Sequence, residues 1–134
     1  MYMTDKKLLP VHIIDWYDGV VLATVDASWM DGTCIAALIY WDQPGRLRVY
    51  ALLPTSVAEA DQLASNTREW VDLKQDIARM FENATDSIEI VCVDERTGLV
   101  VNETRVESTL VAPLVPSDAG ETLSGERRAW LDVF

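Results

Sequence analysis

A chain of 134 residues sits at the common size of one domain, large enough to bury roughly two-thirds of the surface it exposes when unfolded. Its 49% hydrophobic and 25% charged residues are the balance of a globular domain, which excludes wholesale disorder and makes two domains a strained division. Asp and Glu number 22 against 11 Lys and Arg, and the resulting charge of −11 repels phosphate backbones, so direct nucleic-acid binding is excluded as well.

The longest apolar stretch, Cys34 to Trp41, is far shorter than the roughly 20 residues needed to cross a bilayer. The N-terminal residues Met1 to Lys7 lack the apolar centre of a signal peptide. The expectation is a cytoplasmic protein with no membrane partner.

In chain order, Leu8 to Ile14 reads as a strand whose Pro10 suits an edge, followed by the turn dipeptide Asp18-Gly19 and a second β-rich run, Val20 to Asp26. Two such runs joined by residues tolerant of positive φ predict an antiparallel hairpin. Ala27 to Thr33 is a polar loop, and Cys34 to Trp41, apolar on both faces, is a covered central strand. Pro44 and Gly45 take the inner places of a type II turn, and Leu47 to Leu53 returns as the fourth strand.

After Pro54 the period changes. Ser56-Val57-Ala58-Glu59 is a capping box, predicting a helix to about Asn66, and Asp72-Leu73-Lys74-Gln75 is a second box. The latter opens a helix with Leu73, Ile77, Met80 and Phe81 on one core-facing side. Ser87 to Val93 and Leu99 to Glu107 form a second hairpin around a loop ending at Gly98. The fold class is therefore α+β: an antiparallel sheet of about six strands (ββββ-αα-ββ) with two helices on one face and a C-terminal tail. One domain covers 1–107, and 108–134, with its Pro and Gly residues, reads as a tether with a short C-terminal helix.

Chemistry finds few footholds. The single histidine, His12, sits in a strand without a nucleophile in the pattern, and neither a P-loop nor a dinucleotide fingerprint occurs. Asp15, Asp18, Asp26 and Asp31 gather near the first hairpin, but turn chemistry accounts for each, so no catalytic, cofactor or metal residue is assigned. Cys34 and Cys92 each lie inside apolar runs and read as reduced core thiols, with a disulfide between neighbouring strands as the alternative.

Tryptophan is the unusual feature: five in so short a chain exceed what one core needs. Trp16 and Tyr17 beside a turn, Trp29 in a loop, and Trp130, Leu131 and Phe134 near the C-terminus are the candidates for a partner-binding surface, because large rings give contact area at low entropic cost.

An opening strand, Tyr17-Asp18-Gly19, two or three strands, a capped helix, a short helix with Asp72-Leu73 and Phe81, and a further strand follow one another across residues 11–93. In this order the chain resembles a group of small bacterial domains of unknown function, sometimes met beside mobile-element or phage-defence genes. The resemblance implies a bacterial accessory protein and brings no catalytic residues with it. The leading functional expectation is a non-enzymatic accessory or regulatory domain, without cofactor, that binds another protein, a second copy of itself included. Two alternatives stand beside it: an acidic inhibitor or immunity-type protein that mimics nucleic acid, and a carboxylate- or metal-dependent hydrolase.

Overall fold

The computed structural model describes residues 6–27, 29, 32–64, 69–84 and 87–134. Six strands, β1 (Leu9–Trp16), β2 (Val20–Ala27), β3 (Gly32–Asp42), β4 (Leu47–Pro54), β5 (Ser87–Asp94) and β6 (Val100–Glu107), form one antiparallel sheet in sequence order. Helices α1 (Val57–Ala64) and α2 (Trp70–Glu82) connect β4 to β5. The α+β class and the strand-helix-strand order thus hold. No helix among the described residues is long and apolar enough to cross a membrane.

Alternation sorts the strands onto two apolar faces. Leu22, Ile35, Ile39, Val49, Ile88 and Ile90 meet α2 through Leu73, Ile77 and Phe81, the side of the helix that the spacing predicts. On the other face lie Ala23, Val25, Ala36, Leu38, Leu52 and Val91, all at most 1% exposed. Among the described residues no helix joins that second cluster, and the sheet covers it by curling upon itself. The ends of the sheet meet at a bridge between Lys7 and Leu99, where Leu8 N–H donates to the Gly98 carbonyl (3.1 Å) and Val100 N–H to that of Lys6 (2.8 Å). Small Ala residues on the concave side leave room for this curvature.

The helix starts differ in their chemistry. Ser56 Oγ accepts from Glu59 N–H at 3.1 Å and donates to the Glu59 carboxylate, so the first box forms. The second does not: α2 starts at Trp70 behind Glu69, which makes no side-chain cap bond, and Asp72 lies within the first turn. There its charge faces the free N–H groups of the helix end. The predicted continuation of α1 to Asn66 falls outside the described residues.

The segment expected to be a tether is part of the core. It folds as α3 (Ser108–Val111), a 3-10 turn (Ala112–Leu114), α4 (Ala119–Thr122) and a second 3-10 stretch (Gly125–Leu131). Val111, Ala112 and Val115 are buried in the helix-side cluster, and Trp130, Leu131 and Phe134 pack on it. The reason lies in β3, which is paired to β2 only from Gly32 to Ala37 and has an irregular register to β4 between Leu38 and Tyr40. Carbonyls left over there need donors. The buried Ser117 hydroxyl donates to Leu38 (2.9 Å) and Arg127 to Ile39 (3.1 Å).

Both cysteines are free and buried, Cys34 in the concave cluster and Cys92 in the helix-side one, with β4 between their strands. Opposite faces rule out the disulfide. Burial pushes each thiol from its ordinary 9.0 up to about 11, and Tyr50 from 10.0 up to about 12 against the lowering effect of Arg48. Because the folded values lie above the unfolded ones, their stabilising contribution is complete below pH 9 and disappears as pH rises through about 11 to 12. Iodoacetamide at pH 8 is therefore expected to leave both thiols largely unlabelled until urea is added, and urea midpoints should fall steeply on the alkaline side of pH 9. Fast labelling of the native protein would contradict this burial.

Candidate functional site

In an up-and-down sheet the turns after β1, β3 and β5 come together at one end. The first, Tyr17 to Gly19, contains two positive φ angles, 49° at Asp18 and 143° at Gly19, as its dipeptide predicts. A side chain at Gly19 would also run into the Arg48 guanidinium, whose atoms lie 2.6 Å from where a Cβ would stand. The second turn departs from expectation. Arg46 N–H donates to the Gln43 carbonyl (3.2 Å), so Pro44 and Gly45 are the inner residues, yet the positive φ falls on Arg46 at 56°. This is a turn followed by a left-handed residue rather than type II. Such a backbone costs a non-glycine residue about 1–2 kcal/mol.

Beneath these turns sits a buried cation. Arg48, 3% exposed, stands opposite Trp41 in the β3-β4 ladder and stacks on its indole with 4.1 Å from Cζ to the ring centre. Its Nε donates to Glu95 (3.1 Å), Nη1 to the Val20 carbonyl (3.2 Å) and Nη2 to that of Asp18 (2.8 Å). The Trp41 indole N–H shares the same Glu95 oxygen at 3.0 Å, and the Tyr50 hydroxyl donates to Val20 at 2.6 Å. One guanidinium thereby ties the first and third turns to the middle of the sheet.

Above it opens a cavity of about 480 Å³. Leu8, Val25 and Val93 give it apolar walls, Trp16 flanks it, and Arg46, Arg48 and Arg96 bring three guanidinium groups against the carboxylates of Asp18 and Glu95. Arg96 is engaged by Asp94, and its side chain and backbone N–H hold that carboxyl below the usual range. Arg46 makes no ion pair among the described residues.

The sequence-derived candidates divide. Trp16 (61% exposed) and Tyr17 (49%) stand at the surface, Tyr17 meeting Trp41 edge to face at 6.2 Å. They continue a run of exposed apolar residues along β1: Leu9, Val11 and Ile13. Trp29 is half-buried, its indole N–H given to Glu89 (2.8 Å) and its ring under Lys6. Trp130, Leu131 and Phe134 lie against the core, where the C-terminal segment is docked. The Trp70 side chain is outside the described residues.

Structure does not gather the three described aspartates of the first hairpin. Asp15 and Asp18 sit at the rim end of the first hairpin, Asp26 pairs with Leu9 and Thr33 at its far end, and Asp31 is outside the described residues. Among the described residues no group of three or more His, Cys, Asp or Glu is placed to hold a metal ion.

Sequence reading passed over Arg48 and its partners. The signal was present: one charge inside the apolar run Leu47 to Leu53, which a strand interior tolerates only when the charge is paired. In comparisons with known proteins, no protein-family model, no curated protein and no solved structure matches this chain.

Proposed function

We propose that this is a non-enzymatic accessory or regulatory protein that works by binding another protein along β1 and the Trp16–Tyr17 corner. The supporting observation is the run of five large exposed apolar side chains between Leu9 and Tyr17, at 43–67% exposure, on an edge strand paired only to β2 among the described residues. Exposed apolar residues scattered singly are ordinary, but a contiguous group marks an interaction surface. Three irregularities in the β1-β2 register, together with Pro10, blunt the strand edge against indiscriminate pairing. Recognition then falls to side chains rather than to a long backbone ladder. The partner that suits this surface has an apolar segment and a basic surround, given a net charge of −11.

The test compares the wild type with Leu9→Asp/Val11→Asp and with Leu110→Asp, which alters an exposed leucine elsewhere (58%). Binding of a partner protein, or self-association seen by light scattering, should weaken about tenfold or more in the β1 variant and persist in the other, with both melting as the wild type does. Equal binding by all three would refute the β1 surface.

A further inference from the structure

The mouth of the curled sheet is furnished beyond what holding the fold together requires. A guanidinium has five N–H donors. Arg48 gives three to Glu95, Val20 and Asp18 and lies beside the Tyr50 hydroxyl as well, at the wall of a cavity. Arg46 reaches the same rim through a backbone conformation that glycine would adopt without strain, and it makes no direct ion pair among the described residues, although Asp94 lies within reach of its charge. Three arginines thus converge in a chain whose acids outnumber its bases two to one.

A turn at position 46 does not itself require arginine, and glycine there would avoid the strain. Strain of this kind persists where the side chain is put to use. The volume, about 480 Å³, is in the range of small-molecule sites, and so is the composition, apolar walls with a few convergent polar groups.

We propose that this cavity binds a small organic anion: a flat apolar body against Trp16, Val25 and Val93, with a carboxylate, sulfonate or phosphate group held by Arg46 and Arg48 and steered in by Arg96. Planar, bidentate recognition of such oxyanions is what guanidinium groups do best. The cavity shares Trp16 with the partner surface on β1 but not Leu9 or Val11, which do not line it, so substitutions at those two separate the sites.

The probe pair is 8-anilinonaphthalene-1-sulfonate and its uncharged analogue N-phenyl-1-naphthylamine, titrated by fluorescence. Wild type is expected to bind one sulfonate per chain, the neutral amine at least tenfold more weakly, and added salt should weaken the former alone. Arg46→Gly provides a sharp discriminator, because relief of the left-handed strain should raise the melting temperature by a few degrees while sulfonate affinity falls tenfold or more. Arg46→Gly/Arg96→Ser should bind less still, and Leu9→Asp/Val11→Asp should bind as the wild type does, which separates the cavity from the apolar strand. Undiminished sulfonate binding by the double arginine variant, equal binding of the neutral amine, or no stoichiometric binding by the wild type would each overturn the proposal.

Discussion

Removing residues 125–134 is expected to lower stability by about 3–5 kcal/mol, and removing 108–134 to abolish cooperative folding. The shorter deletion takes away three partly buried apolar side chains, Trp130, Leu131 and Phe134, each contributing about 1–2 kcal/mol at partial burial. It also removes the Arg127 bond to the Ile39 carbonyl. The longer one uncovers the helix-side core at Val111, Ala112 and Val115 and strips the Leu38 carbonyl of its buried Ser117 donor. A domain of this size has only about 5–15 kcal/mol in reserve, so the second loss is of the order of the whole. Urea unfolding followed by far-UV circular dichroism is the measurement. A truncated protein with an unchanged midpoint would show that the segment rests on the sheet without contributing to it.

Arg48→Met is expected to cost about 2–4 kcal/mol, although methionine fills similar volume. The charge itself is replaced without loss, but the Asp18 carbonyl loses its donor and the indole face its cation. Glu95→Gln does the converse, leaving a 3% exposed guanidinium without its counter-charge. Stranding a buried charge costs about 3–5 kcal/mol where water is excluded. Glu95 is itself 24% exposed, so water takes over part of its role and the expected loss is nearer 2 kcal/mol. The two changes together should cost less than their sum, because each removes the partner the other would strand. Chemical denaturation of the three variants gives this comparison directly. Additive losses would mean that Arg48 and Glu95 act independently despite their 3.1 Å contact.

Most of the fold is legible from the chain because the signals are local. Alternation in Val20 to Asp26, the run Cys34 to Trp41 and the 3.6-residue spacing of Leu73, Ile77 and Phe81 each specify an element without reference to the rest. Turns are readable to the extent that their chemistry is singular: Asp18-Gly19 is, whereas Pro44-Gly45 fits more than one turn, and the backbone chose the one that places strain on Arg46. The C-terminal segment misleads because proline and glycine look the same in a tether and in a string of short helical turns, and what decides between them is a pair of unpaired carbonyls on β3, distant in sequence. The rim is hidden for a related reason. Asp18, Arg48 and Glu95 are separated by dozens of residues: Arg48 meets Glu95 when β4 pairs with β5, and Asp18 joins them only once the sheet has curled.

The bridge between Lys7 and Leu99 bears on how that rim comes into being. Among the described residues every other strand pairing joins successive strands, and only this one closes a loop of about two-thirds of the chain, which places it late in assembly, after the costly ordering of everything between. It is also slight, with two main-chain hydrogen bonds at the seam among the described residues. Leu8 and Gly98, which flank that seam, are wall residues of the cavity. The cavity therefore takes its full shape only where the sheet ends meet: without that seam the strands and the arginines remain, but the wall that Leu8 and Gly98 supply does not.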